Sequence, residues 1–408
     1  MKELINNISP FNNLFYPHHQ APVTRGFLFV GWWVDLTMIQ HKQPGPSDSF
    51  IFNRTGHRLR NRTVLTAMTN KQSHSDGTLS DEEIKWLTRR AKGGFGIITT
   101  AAAHVSKDGQ GWDGELGLFD DMHIDKLTTL TDSIHTHGSL SFAQLFHGGM
   151  RAPQYLTAKT PISASKIPCD ESKSGFTRSA SEKDIKRIIN NFTAAAVRCV
   201  KAGFDGIELH GAHGYLISQF LGTKTNMRKD EWGGDLTNRS RFLIEIYRSI
   251  KENVPDSFIV GIRISPEISD LGINLDDSIN LAGFLRDEGI DYLHISCWDA
   301  FAKSKEYPDD SRKLTEWFTQ SFDDLPPIIS TGSVWSKSDA QELMNQGADL
   351  IGVAKVGIPY PGWAKNLSQE NYNPPRAPFT VKHLREADLS DVFINYMRKW
   401  DGFVSNNN

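Results

Sequence analysis

From residue 50 onward the chain repeats one pattern eight times: a short apolar run, then a longer amphipathic one. Runs that stay apolar without alternating suit strands buried on both faces, and such strands belong to parallel sheets with helical crossovers. Eight units in succession predict an α/β protein of the (β/α)8 TIM-barrel class. Strands are expected at 61–69, 96–105, 140–146, 206–209, 258–265, 292–296, 327–331 and 350–353. Helices are expected between them at 81–92, 122–136, 181–202, 237–254, 275–288, 311–322 and 336–346. Ser80 and Ser181 stand where N-caps belong, and Gly93 and Gly203 where helices stop. A C-terminal helix, 379–400, follows the eighth strand. The barrel domain therefore spans 50–404, and residues 1–49 are an N-terminal extension to which no structure is assigned.

Charge narrows the partners. Lys and Arg number 45 against 48 Asp and Glu, a net −3 without a basic stripe, which argues against nucleic acid or an anionic membrane as the main partner. Cys169, Cys199 and Cys297 are far apart and odd in number, so neither a disulfide framework nor a clustered metal site is expected. A reducing, cytoplasmic setting follows as the default. The apolar run 26–34 is too short to span a bilayer, so no stable membrane insertion is expected. Contact of its tryptophans with a membrane surface is the reading it leaves open.

The fourth strand carries the densest chemistry. Gly206-Ile-Glu-Leu runs straight into His210-Gly-Ala-His213-Gly-Tyr215. Two imidazoles and a phenol thus gather at the C-terminal end of a strand, the edge on which these barrels place their active sites. Each imidazole can donate to a substrate oxygen, and a phenol can give up a proton. The pair could instead be two ligands of a zinc hydrolase, although no carboxylate follows at metalloprotease spacing. A packed loop without function is the plainest reading.

Three other strand ends suggest a cofactor. Strands seven and eight, whose following loops commonly hold phosphate in such barrels, end in Thr331-Gly332-Ser333 and Ala354-Lys355. Gly332 lets backbone approach an anion, Ser333 adds a donor and Lys355 a charge. Arg263 lies mid-strand and points into the barrel, where an unpaired cation is costly. Its partner is either the electron-rich edge of a flavin or, less remarkably, Glu208 on the neighbouring strand. Gln144 ends the third strand and offers donor and acceptor together, to a flavin pyrimidine or to a neighbouring strand. The long excursion 151–178 interrupts the repeat after that strand and is expected to shape access to the mouth.

Taken with Arg90-Ala-Lys-Gly-Gly94, Asn226-Met-Arg-Lys-Asp-Glu-Trp-Gly-Gly234 and Asn238-Arg239, these motifs resemble the old yellow enzyme family of FMN-dependent NAD(P)H oxidoreductases. The resemblance runs from about residue 50 to 404. It implies FMN at the barrel mouth, reduced by NAD(P)H, and reduction of an activated C=C bond in a small-molecule α,β-unsaturated carbonyl or nitro compound. It also implies that Ala67, Met68 and Thr69 line the flavin, with the Thr69 hydroxyl tuning it, and that Ala102 packs beside the ring. Gln144 and Arg263 would hold the pyrimidine edge, and Gly332, Ser333, Ala354 and Lys355 the phosphate. His210 and His213 would bind the substrate oxygen and Tyr215 would protonate Cα. No metal is implied. Where the family usually has Gly-Arg, this chain has Ala354-Lys355, which keeps the charge and loses the fork. A different flavin-dependent reaction on the same scaffold is the main alternative. The substrate, the choice between NADH and NADPH and any homo-oligomer are left open.

Overall fold

Eight parallel strands close into a ring, each bonded to its neighbours in chain order and the eighth to the first. They are β1 (Thr63–Leu65), β2 (Ile97–His104), β3 (Leu140–Phe146), β4 (Gly206–Gly211), β5 (Ile259–Ile264), β6 (Tyr292–Ser296), β7 (Ile328–Thr331) and β8 (Leu350–Val353). This computed structural model describes residues 44–405, so most of the expected extension lies outside the described residues. Helices α1 (Asp81–Lys92), α2 (Ile124–His135), α3 (Glu182–Lys201), α4 (Leu236–Lys251), α5 (Leu275–Asp287), α6 (Leu314–Thr319) and α7 (Lys337–Asn345) alternate with the strands. The expected (β/α)8 barrel is the fold.

Caps set the helix starts. Ser80 accepts from the Glu83 N–H, and Ser181 and Asp184 form a capping box at the head of α3. The buried face of α3, with Ile185, Ile188, Phe192, Ala196 and Cys199, packs into the layer between strands and helices.

Inside the barrel the two-residue period of the strands sorts side chains into layers. The N-terminal end is apolar, built from Val64, Ile97, Phe142, Ile259, Tyr292, Ile329 and Leu350. Phe52 and Leu59, of a hairpin pairing Phe50–Ile51 with Arg58–Leu59, join this layer from below. Gly261 is required here, because any Cβ would run into the Tyr292 ring. Further along the strands the character changes. Gln144, Glu208, His294, Thr331 and Arg263 make a buried polar layer, and the mouth opens above it.

Three expectations on extent need correction. The first strand keeps its ladder only over Thr63–Leu65. Beyond it the chain is a loop held by Glu83, which accepts from Asn70 Nδ2 at 2.8 Å and Ser73 Oγ at 2.6 Å. The expected helix 311–322 shortens to Leu314–Thr319. The single C-terminal helix 379–400 is two, α8 (Val381–Glu386) and α9 (Asp391–Met397). Asp388 at φ +62° turns the chain between them, and Ser390 caps a new helix by accepting from the Phe393 N–H. The break lets α9 carry Tyr396 back towards the barrel mouth.

Candidate active site

The site is built on β4, which runs two residues further than expected, through His210 and Gly211. Glu208 and His210 both point inward, two residues apart. The chain then turns at His213, φ +61°, and Gly214, φ +80°, and Tyr215 heads a short helix, Leu216–Leu221, that the sequence reading missed. The sharp turn places three rings together. His210 lies 4.9 Å from His213 and 4.9 Å from Tyr215, each edge to face, and Phe146 at the end of β3 packs 4.9 Å from Tyr215.

Partners indicate protonation states. His210 Nδ1 faces the Ala212 N–H at 3.4 Å, which favours the proton on Nε2. Burial, then the neighbouring His213 and Arg263, hold His210 well below the ordinary imidazole pKa, so it is neutral and donates from Nε2. His213 shares a 2.8 Å hydrogen bond between Nε2 and the Ser296 hydroxyl. Desolvation and Arg263 lower its pKa too, although its surface is open to solvent, whereas His210 is 3 % exposed. Burial raises the Tyr215 pKa and Arg151 opposes the rise; the phenol stays protonated at neutral pH.

Arg151 was not anticipated as a site residue. It opens the 151–178 excursion, donates from Nη1 to the His213 carbonyl at 2.8 Å and sets its guanidinium 4.8 Å from the centre of the Tyr215 ring. The rest of the excursion is well tied. Ile162–Ser163 pairs with Arg178–Ser179, and Arg228 donates to the Ala164 and Ala180 carbonyls. Asn226 donates to the Phe220 and Trp232 carbonyls, and Trp232 Nε1 to Glu182 at 2.7 Å. The 226–234 motif, prominent in the sequence, therefore braces the excursion and touches no reacting group.

The polar layer decides what Arg263 is for. Glu208 is already engaged: it accepts from Gln144 Nε2 at 2.6 Å and pairs with His294 Nδ1 at 2.7 Å. His294 Nε2 meets the Thr331 hydroxyl at 2.7 Å. Despite burial, its partners hold Glu208 below the usual carboxylate range, so it is ionised and His294 donates from Nδ1. Arg263 sits in register with His210 and His294, not with Glu208. It is 5 % exposed, its Nη1 reaches the Ala67 carbonyl only at 3.5 Å, and its Nε is buried without a partner. Glu208 balances its charge through space and leaves its donors free. The ion pair weighed as the alternative is not formed.

The remaining expected residues ring the same mouth. Ala102, buried, follows an irregularity in β2 and stands level with Gln144. Thr69 lies close enough to Tyr396 of α9 to temper the rise in its pKa, so the loop after β1 and the C-terminal helices meet there. Gly332 has φ +152°, and a Cβ on it would fall 2.7 Å from the Ala300 nitrogen and 2.8 Å from the Cys297 oxygen. Ser333 follows at φ +58°, and Ala354 and Lys355 come directly after β8, at the head of a 3-10 turn. Sequence reading missed His294, Arg151 and Tyr396, and it named Thr331 only as the end of the seventh strand. Counting by twos along Tyr292–Ser296 would have put His294 inside the barrel, whereas nothing local marks Arg151 or Tyr396.

A closed parallel barrel with a buried, unpartnered Arg263 Nε within and His210, His213 and Tyr215 clustered at the strand ends defines a TIM-barrel protein with a candidate active site at its mouth. The chain belongs to the NADH:flavin oxidoreductase / NADH oxidase family, the old yellow enzyme family, which it matches over residues 53–373. It is 32 % identical over 327 residues to a probable NADH-dependent flavin oxidoreductase of Bacillus subtilis, covering 79 % of this chain and 87 % of the relative. It is 33 % identical to the NADH:acrylate oxidoreductase of Vibrio harveyi over 79 % of this chain, which is only 33 % of that longer protein. The fold superimposes on an old yellow enzyme homologue of Zymomonas mobilis with a TM-score of 0.71 at 24 % identity, covering 84 % of this chain and 96 % of that one. The protein is an NAD(P)H-dependent oxidoreductase whose cofactor is FMN. Its residues fit that group: the unpartnered Arg263 Nε supplies a buried donor, and the cradle at Gly332 admits no side chain.

Proposed function

We propose that this enzyme reduces the activated C=C bond of an α,β-unsaturated carbonyl or nitro compound. The convergence of His210, His213 and Tyr215 within 4.9 Å ring contacts carries the reading. FMN, when bound, would supply the hydride-transfer chemistry between NAD(P)H and the substrate. Arg263 and Gln144 hold the pyrimidine edge. With one Nε2 hydrogen of Gln144 given to Glu208, the Gln144 oxygen is the acceptor for a flavin N–H. Gly332, Ser333, Ala354 and Lys355 hold the phosphate, and Ala67, Met68, Thr69 and Ala102 line the ring.

Neutral His210 donates from Nε2 to the substrate oxygen. His213, with Nε2 accepting from Ser296, donates from Nδ1. Two donors fixed by the fold stabilise charge developing on that oxygen better than water, which must reorganise. Tyr215, held protonated by burial, delivers a proton to Cα from the same side of the mouth. A zinc hydrolase on the two histidines is disfavoured by Arg263, a buried cation beside the imidazoles that opposes a metal ion. The acrylate named for the Vibrio harveyi relative is an α,β-unsaturated acid, which supports the substrate class.

Anaerobic reduction of the purified protein by NADH or NADPH, followed by reoxidation with enones, nitroalkenes and unsaturated acids, tests the proposal. Rapid reoxidation by at least one class is expected. Reoxidation by oxygen or quinones alone would assign a different reaction to the barrel.

A further inference from the structure

Lys355 is held in an unusual way. Its ammonium lies 5.7 Å from the Trp298 ring centre and 5.5 Å from that of Trp400, and it forms no carboxylate pair among the described residues. Both tryptophans are conspicuous. Trp298 is 83 % exposed and Trp400 41 %, on a protein that buries Trp86, Trp317, Trp335 and Trp363. A tryptophan that far into water gains little from the hydrophobic effect, so its position needs another cause. The two come from distant parts of the chain. Trp298 follows β6, in the 297–300 segment packed so closely on Gly332 that a Cβ there would strike it, and its carbonyl faces the Ser333 hydroxyl at 3.4 Å. Trp400 follows α9, in a segment pinned back by the Phe379 N–H donating to Phe403 at 2.9 Å and the Ser405 N–H donating to Phe379 at 2.7 Å.

A lysine ammonium on a four-carbon stem is a mobile point charge, whereas an arginine fork is oriented by its own planarity. Two ring faces remove that freedom without neutralising the charge, which a carboxylate would do. We propose that Trp298 and Trp400 are positioning residues for FMN: they hold the Lys355 ammonium at the end of β8, beside the Gly332–Ser333 turn, so that it meets the phosphate. The C-terminal segment is then part of the cofactor site. The inference rests on the assignment of Lys355 to the phosphate and extends it to the two residues that hold its ammonium.

The test compares FMN with riboflavin, which lacks the phosphate, binding to the full-length chain stripped of flavin and followed by flavin fluorescence. Lys355→Met should lower FMN affinity at least tenfold and leave riboflavin affinity within twofold. Trp298→Leu and Trp400→Leu should each lower FMN affinity about three- to fivefold, again sparing riboflavin. In a Lys355→Met background the tryptophan changes should have no further effect. Equal losses for both flavins would make the tryptophans packing residues and overturn the proposal, as would unchanged FMN affinity or full tryptophan effects without Lys355. An unaltered FMN-to-riboflavin ratio in Lys355→Met would overturn the phosphate assignment itself.

Discussion

Replacing Arg151 by Met removes the cation that lies over the Tyr215 ring and tests whether that phenol is the acid. The guanidinium is 4.8 Å from the ring centre. Between unit charges at that distance Coulomb's law gives about 0.9 kcal/mol in bulk water and about 3.5 kcal/mol at an effective dielectric of 20. Arg151 is exposed, so screening favours the lower part of the range, about 1–2 kcal/mol. That energy stabilises phenolate relative to phenol. Its loss raises the Tyr215 pKa, already raised by burial. Proton transfer in the transition state feels about half of such a change, so substrate reduction should slow roughly two- to fivefold on the pH plateau. The direction with pH follows: the working form is protonated, and a higher pKa moves the alkaline fall in rate to higher pH. Stopped-flow reoxidation by an enone across pH reads both effects, and reduction by NAD(P)H serves as control. An alkaline limb that stays in place while both halves slow together would show that Arg151 acts only through the fold of the 151–178 segment.

Gly332→Ala should weaken FMN binding at least tenfold, because its Cβ would meet backbone at 2.7 and 2.8 Å and displace the phosphate turn; fluorescence titration checks this, and unchanged affinity would move the phosphate elsewhere. Glu115 is buried, with one oxygen unpartnered and the other accepting from the Gly111 N–H at 2.7 Å and lying 3.4 Å from His104 Nδ1; desolvation outweighs that bond and raises its pKa, while burial holds His104 down at about 3. A raised carboxyl pKa contributes stability that is full below the unfolded value and lost as pH rises through the folded one. Glu115→Gln should therefore stabilise the protein at pH 8 and change little at pH 4, as read from urea midpoints; a loss at pH 8 would mean that the carboxylate is paired and needed.

Much of the barrel could be read in the sequence because parallel strands buried on both faces have a direct signature, and β3, β6 and β8 fall on their expected residues. Single-residue effects escaped: Asp388 in a left-handed conformation splits the last helix, and no hydrophobic period announces it. The site was legible where one short segment holds several groups, as at His210, His213 and Tyr215. It was not legible where tertiary structure imports a group from afar. Arg151 arrives from the excursion after β3, Tyr396 and Trp400 from the C-terminal segment, and each is an ordinary surface residue until folding places it. The weighing of Arg263 against Glu208 needed the register itself, which shows Glu208 already engaged by Gln144 and His294.

The central claim is that Tyr215 supplies the proton, and the separated half-reactions of Tyr215→Phe test it most directly. Reduction by NAD(P)H should remain near wild type, because that half needs no proton from the phenol. Reoxidation by an activated alkene should slow roughly 10²–10⁴-fold, the usual worth of a general acid. A quinone, which can take its proton from water, should still reoxidise the enzyme at close to the normal rate. If both halves slow equally in Tyr215→Phe, or neither slows, the phenol is a packing residue and the assignment fails.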